Sequence, residues 1–458
     1  MGNRRSEDHN LRAPAGPSFH LGALARGAGV AFAVQVSGMG LTYFVHVLLA
    51  GRMGTAEFGI YEFVLASTLL LSVLAQLGFP TAVLRLISQY RVTGQWGHLA
   101  GLIRGSWRLS SIAGMSIGLL VTVILGVSGI DRVWIYSVPL QVGVWMVPLF
   151  AIAQLQSEIA RALQKVALAY VPFRLLWPFL VAIGTFGLLA MGVPLTGVCV
   201  LQLSLLTLAI AIGVQLVLLR RTFEREFPPA SPVYRPREWL RVALPLLLQG
   251  VFFIVLSQTD ILMLGSMVGP DAVGIYSAAA KTALWSSFVL QAVNTVVAPV
   301  FATLYARTDR GGLQSLVATV AHWIFWPSLI LAIALIRFAP ALLGLFGPEF
   351  VAGRWPMTVL ILGQLINVGS GSVGYLMVMT GHQDQSALIF GGSALANLIL
   401  NAIAIPFLGI LGAAIATATC MAIWNVVLHI LVVRYLKIYP SIIFAFWKPV
   451  ALRAGSGE

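Results

Sequence analysis

The chain has 458 residues, of which 59% are hydrophobic and only 9% charged, with a formal net charge of +13. A soluble domain carries about 25% charged residues, so this composition excludes one. Its two cysteines, Cys199 and Cys420, both lie within apolar runs, which excludes a disulfide framework and a thiolate metal site.

In chain order, residues 1–20 are polar and basic and lack the short apolar run and small-residue cleavage site of a signal peptide, so they read as a cytoplasmic tail. Twelve apolar runs follow, at 28–50, 58–79, 107–130, 138–164, 167–190, 194–219, 241–264, 273–299, 317–338, 355–380, 385–407 and 409–433. Each exceeds the roughly 20 residues needed to cross about 30 Å of hydrocarbon as a helix. Within lipid the backbone has to satisfy its own hydrogen bonds, and runs of this length do so as helices. The predicted fold class is therefore all-α and polytopic. Within the tenth run, Gly369, Gly371 and Gly374 either break the helix or let a neighbour pack closely.

Charge distribution orients the chain. With the N-terminus inside, 22 Lys and Arg fall on the inner side and four (Arg52, Arg132, Arg337 and Arg354) on the outer side. The positive-inside rule then places both termini in the cytoplasm. Topology and the anionic inner leaflet account for the basic excess, so no nucleic-acid partner is expected.

The stretch "GTAEFGIY" from Gly54 is echoed by "GPDAVGIY" from Gly269. At this offset of 215 the pairs Gly59/Gly274, Ile60/Ile275, Tyr61/Tyr276, Ser72/Ser287, Gln76/Gln291, Tyr90/Tyr305, Thr93/Thr308 and Gly97/Gly312 are also identical, without a gap. Six runs per half make this a parallel repeat about an axis along the membrane normal. The expected organisation is a six-helix lobe at 21–219, a proline-rich cytoplasmic linker at 220–240, a second six-helix lobe at 241–434 and a cytoplasmic tail at 435–458. Both stretches read as tight outer turns, with Tyr61 and Tyr276 as interfacial anchors.

The runs "LAGRMGTAEFGIYEF", "QLGFPTAVLRLISQY", "RALQKVALAYVPFRLLWPFL" and "TDILMLGSMVGPDAVGIYSAAAK" resemble the polysaccharide-biosynthesis, or oligosaccharide flippase, family. That group includes Wzx-type O-antigen flippases, within the superfamily of multidrug/oligosaccharidyl-lipid/polysaccharide exporters. The resemblance covers about residues 20–435 and implies a MATE-like architecture in a bacterial inner membrane. It also implies a flippase for a polyprenyl-pyrophosphate-linked oligosaccharide, with membrane lipids as partners and a polysaccharide polymerase and glycosyltransferases as associates. Many relatives have 14 segments, from which a count of 12 departs.

Charged groups inside a membrane cost about 2.5–3.5 kcal/mol on insertion scales and usually face a cavity or a partner. Asp260 and Lys281 fall at similar depth on the seventh and eighth runs, predicting that they pair or share one polar cavity. In the first half, His46 matches Asp260, and Glu62 follows on the second run. Asp260, His46, Glu62 and Glu158 are the ion-coupling or cavity candidates, for H+ or Na+, with a static ion pair as the plain alternative. Near the inner face, Glu158 closes the fourth run and Arg174 enters the fifth. Arg174, followed by Arg85 and Lys281, is the candidate contact for the lipid pyrophosphate, because a guanidinium fork donates two hydrogen bonds at once. A Glu158–Arg174 ion pair or snorkelling of Arg174 to the inner headgroups is the alternative.

Trp145, Trp177, Trp285, Trp323, Trp326 and Trp424 fit either sugar stacking or ordinary packing and interface belts. No Walker A run or zinc spacing occurs, so neither an enzyme nor a resident cofactor or metal is expected. A multidrug or organic-cation antiporter of the same superfamily is the nearest rival, and a non-transporting membrane scaffold the second.

Overall fold

The computed structural model describes residues 21–128, 134–442 and 444. Arg4, Arg5, Arg12, Asp131, Arg132 and most of the expected C-terminal tail lie outside the described residues.

Among the described residues every regular element is a helix. In chain order these are α1 (Leu21–Ala75), α2 (Phe79–Val92), α3 (Trp96–Ser128), α4 (Ser137–Gly143), α5 (Met146–Ala162) and α6 (Val166–Val171). A π-helical turn at Pro172–Leu176 leads into α7 (Trp177–Ala190), and α8 (Gly197–Glu226) and α9 (Pro236–Met267) follow. The remainder are α10 (Pro270–Ala283), α11 (Phe288–Ala306), α12 (Arg310–Arg337), α13 (Ala339–Gly344), α14 (Arg354–Ser370), α15 (Val373–Met379) and α16 (Gln383–Leu436).

Eight helices among the described residues are long and apolar enough to cross a membrane, or nine if the bent pair Pro348–Ser370 and Val373–Met379 is one span. The expected twelve is not recovered by that criterion, because helix continuity and hydropathy divide the chain differently. The 55 residues of α1 contain the first expected run and most of the second, with the helix broken at Gly54 (φ 79, ψ 177). A straight helix of that length would reach roughly 80 Å, well over twice the hydrocarbon thickness. The last two expected runs likewise share α16, broken at Gly409 (φ 55, ψ −129). The eighth is divided into α10 and α11 by a 3-10 turn at Leu284–Ser287. The tenth is both broken and close-packed at Gly371 (φ 77, ψ −161): it ends α14, α15 leaves at 45°, and a Cβ there would stand 2.5 Å from the Pro440 carbonyl oxygen.

Between α8 and α9 the non-helical stretch is Phe227–Arg235, shorter than the expected linker because both flanking helices extend toward it. It lies against α3, where Val233 N–H donates to the Gly97 carbonyl at 2.9 Å. Trp239 opens α9 fully buried and donates its indole N–H to the Tyr90 hydroxyl at 3.2 Å. The principal core gathers α1, α5, α8, α10 and α14 around Phe58, Tyr276, Phe346 and Phe350. Exposed large side chains such as Leu206, Ile330 and Phe407 supply the apolar outer surface of a lipid-facing protein.

Candidate functional site

The site grows from the two echoed turns. Gly54 and Gly269 (φ 128) both take positive φ, which glycine adopts without steric cost. Beyond them, the helices starting at Thr55 and Pro270 meet backbone to backbone. A Cβ on Gly59 would stand 1.8 Å from the Pro270 carbonyl oxygen, and one on Gly274 would stand 2.2 Å from that of Thr55. The Thr55 hydroxyl donates to Asp271 at 2.5 Å and to Glu349 at 3.3 Å, tying α1, α10 and the 3-10 turn at Pro348–Gly353 together. The repeat is therefore a contact as well as a pattern.

Such close approach fixes the depth of the residues that follow. Glu62, only 2% exposed, lies between two bases: Lys281 Nζ stands 3.1 Å from its Oε2, and His46 Nε2 stands 3.1 Å from its Oε1. His46 is oriented by its Nδ1, 2.6 Å from the Thr42 carbonyl in the preceding helical turn. The ring Nε2 lacks the alignment of a hydrogen bond to Glu62, so that contact is one of proximity alone. Taking a carboxylate out of water is costly, and the Lys281 ammonium supplies the compensating charge.

Asp260 is built differently. The expected pairing with Lys281 does not form, because α10 turns Lys281 toward α1 and Glu62. Instead Asp260, 7% exposed, accepts from Tyr276 Oη, from Asn401 Nδ2 at 3.0 Å and from Thr417 Oγ1 at 2.6 Å. Asn397 joins through its backbone and side-chain oxygens, which accept from Asn401 at 3.0 and 3.2 Å. Asn401 Oδ1 is buried without a hydrogen-bond partner. This is an acid held by neutral donors, with a spare amide oxygen beside it. No group of three or more His, Cys, Asp or Glu side chains forms a metal site among the described residues.

Tyr61 and Tyr276 are not interfacial anchors: they are 3% and 2% exposed. For Tyr276 the reason is its hydroxyl, which an interior carboxylate can use as a donor. Sequence reading missed Tyr276, Asn397, Asn401 and Thr417 as members of this cluster. Asn397 and Asn401 did leave a signal, two amides four residues apart in an apolar run and hence on one helix face. Thr417 left none, since a lone threonine in such a helix usually bonds its own backbone.

The inner-side candidates are not brought together. Glu158 pairs with Arg161, one turn along α5, at 2.8 Å rather than with Arg174. Arg174 lies in the π-helical turn, exposed and without an ion pair among the described residues. Pro172, which lacks an N–H for the regular helical ladder, opens that widened turn. Arg85 on α2 is also exposed and unpaired among the described residues. Of the tryptophans, Trp285 packs edge-on against Tyr43, Trp177 donates to the Ser204 carbonyl at 3.3 Å, and Trp323 is 66% exposed.

The fold is shared with solved transporters at low sequence identity. An inward-closed structure of the lipid II flippase MurJ matches with a TM-score of 0.71 and 15% identity, over 91% of this chain and 89% of that one. An inward-facing multidrug resistance MATE family transporter of the MOP superfamily matches with a TM-score of 0.69 and 14% identity, over 89% and 98%. Among curated proteins, the probable low-salt glycan biosynthesis flippase Agl15 of Haloferax volcanii is 26% identical over 202 residues. That match spans 43% of this chain and only 40% of its relative. The sequence profile described as "Polysaccharide biosynthesis protein" matches residues 24–305, well over half of the chain, and the chain belongs to that family.

Proposed function

We propose that this protein is a flippase that moves a polyprenyl-pyrophosphate-linked oligosaccharide from the inner to the outer leaflet by alternating access, for surface polysaccharide assembly. The observation that carries this reading is the family match over residues 24–305. The partial likeness to a glycan biosynthesis flippase and the fold shared with a lipid II flippase support it. In this reading the halves 21–219 and 241–434 rock against each other across the contact at Gly59 and Gly274. The membrane is a bacterial inner membrane, both termini are cytoplasmic, and a polymerase and glycosyltransferases consume and supply the substrate. Arg174, Arg85 and Lys281 would meet the pyrophosphate, whose charge suits guanidinium and ammonium donors.

Asp260 is assigned the coupling role. A buried acid surrounded by Tyr276, Asn401 and Thr417, with Asn401 Oδ1 unused, offers oxygens for H+ or Na+ without a competing fixed cation. Glu62, already neutralised by Lys281 and flanked by His46, is the poorer choice and is assigned to positioning Lys281.

An antiporter for organic cations is the competing reading, since the fold match to a MATE transporter is nearly as good as that to the flippase. Reconstitution decides between them. Vesicles containing the protein and a fluorescent polyprenyl-pyrophosphate oligosaccharide should expose the sugar to an external lectin or glycosidase faster than empty vesicles. Unchanged sugar accessibility together with gradient-driven efflux of ethidium would establish the antiporter, and neither activity would leave the scaffold.

A further inference from the structure

We infer that the groove between α8 and the α6–π-turn segment is a binding site for an anionic phospholipid of the surrounding bilayer. It is a cavity of about 610 Å³ with Lys165, Arg221 and Arg225 at one end and Val214, Leu218 and Leu176 along its length.

The sequence of α8 sets up this arrangement. Leu206, Ile210, Val214 and Leu218 recur every four residues and are 61%, 46%, 40% and 43% exposed, an apolar stripe that faces acyl chains. The stripe spans about 18 Å, close to the roughly 15 Å of one leaflet. Arg221 follows three residues after Leu218 and Arg225 four residues later, helical steps that keep both near the same face as the chain leaves the hydrocarbon. Both arginines are exposed and have no ion pair among the described residues. Lys165, across the groove, is held at its mouth by Glu226. Apolar track below and uncompensated cations above match the two parts of one lipid, its tail and its phosphate. A guanidinium can grip that phosphate with two parallel hydrogen bonds. Neutral and zwitterionic headgroups would leave the net positive end unmatched.

The site is separate from Asp260, Glu62 and Lys281, and it stands whether or not the transported substrate is a lipid-linked sugar. Purified full-length protein, incubated in detergent with equal amounts of phosphatidylglycerol and phosphatidylcholine, would be examined by native mass spectrometry. Wild-type protein should retain phosphatidylglycerol preferentially. R221Q/R225Q, which leaves the Lys165–Glu226 pair intact, should weaken that retention roughly 30-fold, at about 1 kcal/mol per surface cation. L218W, which fills the apolar track and keeps every charge, should also lose the lipid. Equal retention of the two lipids by the wild type would overturn the inference, as would wild-type retention by R221Q/R225Q. Displacement by an equal concentration of glycerol 3-phosphate would reduce the groove to a bare anion site and overturn it as well.

Discussion

Lys281 on α10 reaches across to Glu62 on α1, Nζ to Oε2 at 3.1 Å, and leaves Asp260 to neutral donors. Removing one partner of a buried pair strands the other charge, which costs about 3–5 kcal/mol. K281Q is therefore expected to unfold at much lower temperature than the wild type, whereas E62Q/K281Q, with both charges gone, recovers most of the loss. Thermal denaturation of the wild type, the two single variants and the double variant in one detergent measures this coupling. Additive single effects would show that the pair contributes no stability.

The Gly59–Gly274 contact predicts a contrast between neighbouring glycines. G59V places side-chain atoms where the Pro270 carbonyl already stands, 1.8 Å from the new Cβ, so α1 and α10 have to separate. We expect a loss of more than about 4 kcal/mol, in the range reserved for severe overpacking. G54A meets nothing within 4 Å, and only its backbone conformation (φ 79, ψ 177), in a region essentially confined to glycine, opposes the substitution, a cost of about 1–3 kcal/mol. Equal thermal shifts for the two would refute the backbone contact as the constraint.

If Asp260 couples transport to an ion, D260N keeps the side-chain volume and much of the hydrogen bonding but removes the negative charge. Stimulation of transport by an imposed Na+ or H+ gradient is expected to fall at least tenfold, about 1.4 kcal/mol of lost coupling. Gradient-independent lipid scrambling should persist. A variant that responds to both gradients like the wild type would move the coupling role elsewhere.

Arg174 is exposed and makes no ion pair among the described residues, so its removal leaves no stranded partner. R174A is expected to melt within a degree or two of the wild type while slowing flipping of the pyrophosphate-linked substrate by about tenfold, the worth of roughly one charge-assisted contact. Comparing pyrophosphate-linked and monophosphate-linked sugars in the same vesicles tests the assignment. Equal rates for R174A and wild type on both would withdraw it.

The composition and apolar runs determined the all-helical, membrane-spanning class, because hydrocarbon leaves the backbone no other local way to satisfy itself. The echo at Gly54 and Gly269 located two matching turns, and the ionisable residues inside apolar runs marked Glu62, Asp260 and Lys281 as costly and hence worth explaining. Partner choice was decided only in three dimensions. Depth along separate helices placed Asp260 and Lys281 at one level, but a helix also has a rotation about its axis. The packing of Gly59 against Pro270 and Gly274 fixes that rotation, turning Lys281 to Glu62 and Tyr276 to Asp260. Asn401 and Thr417 reach Asp260 from 141 and 157 residues away, a separation over which sequence period carries no information and only close packing can act.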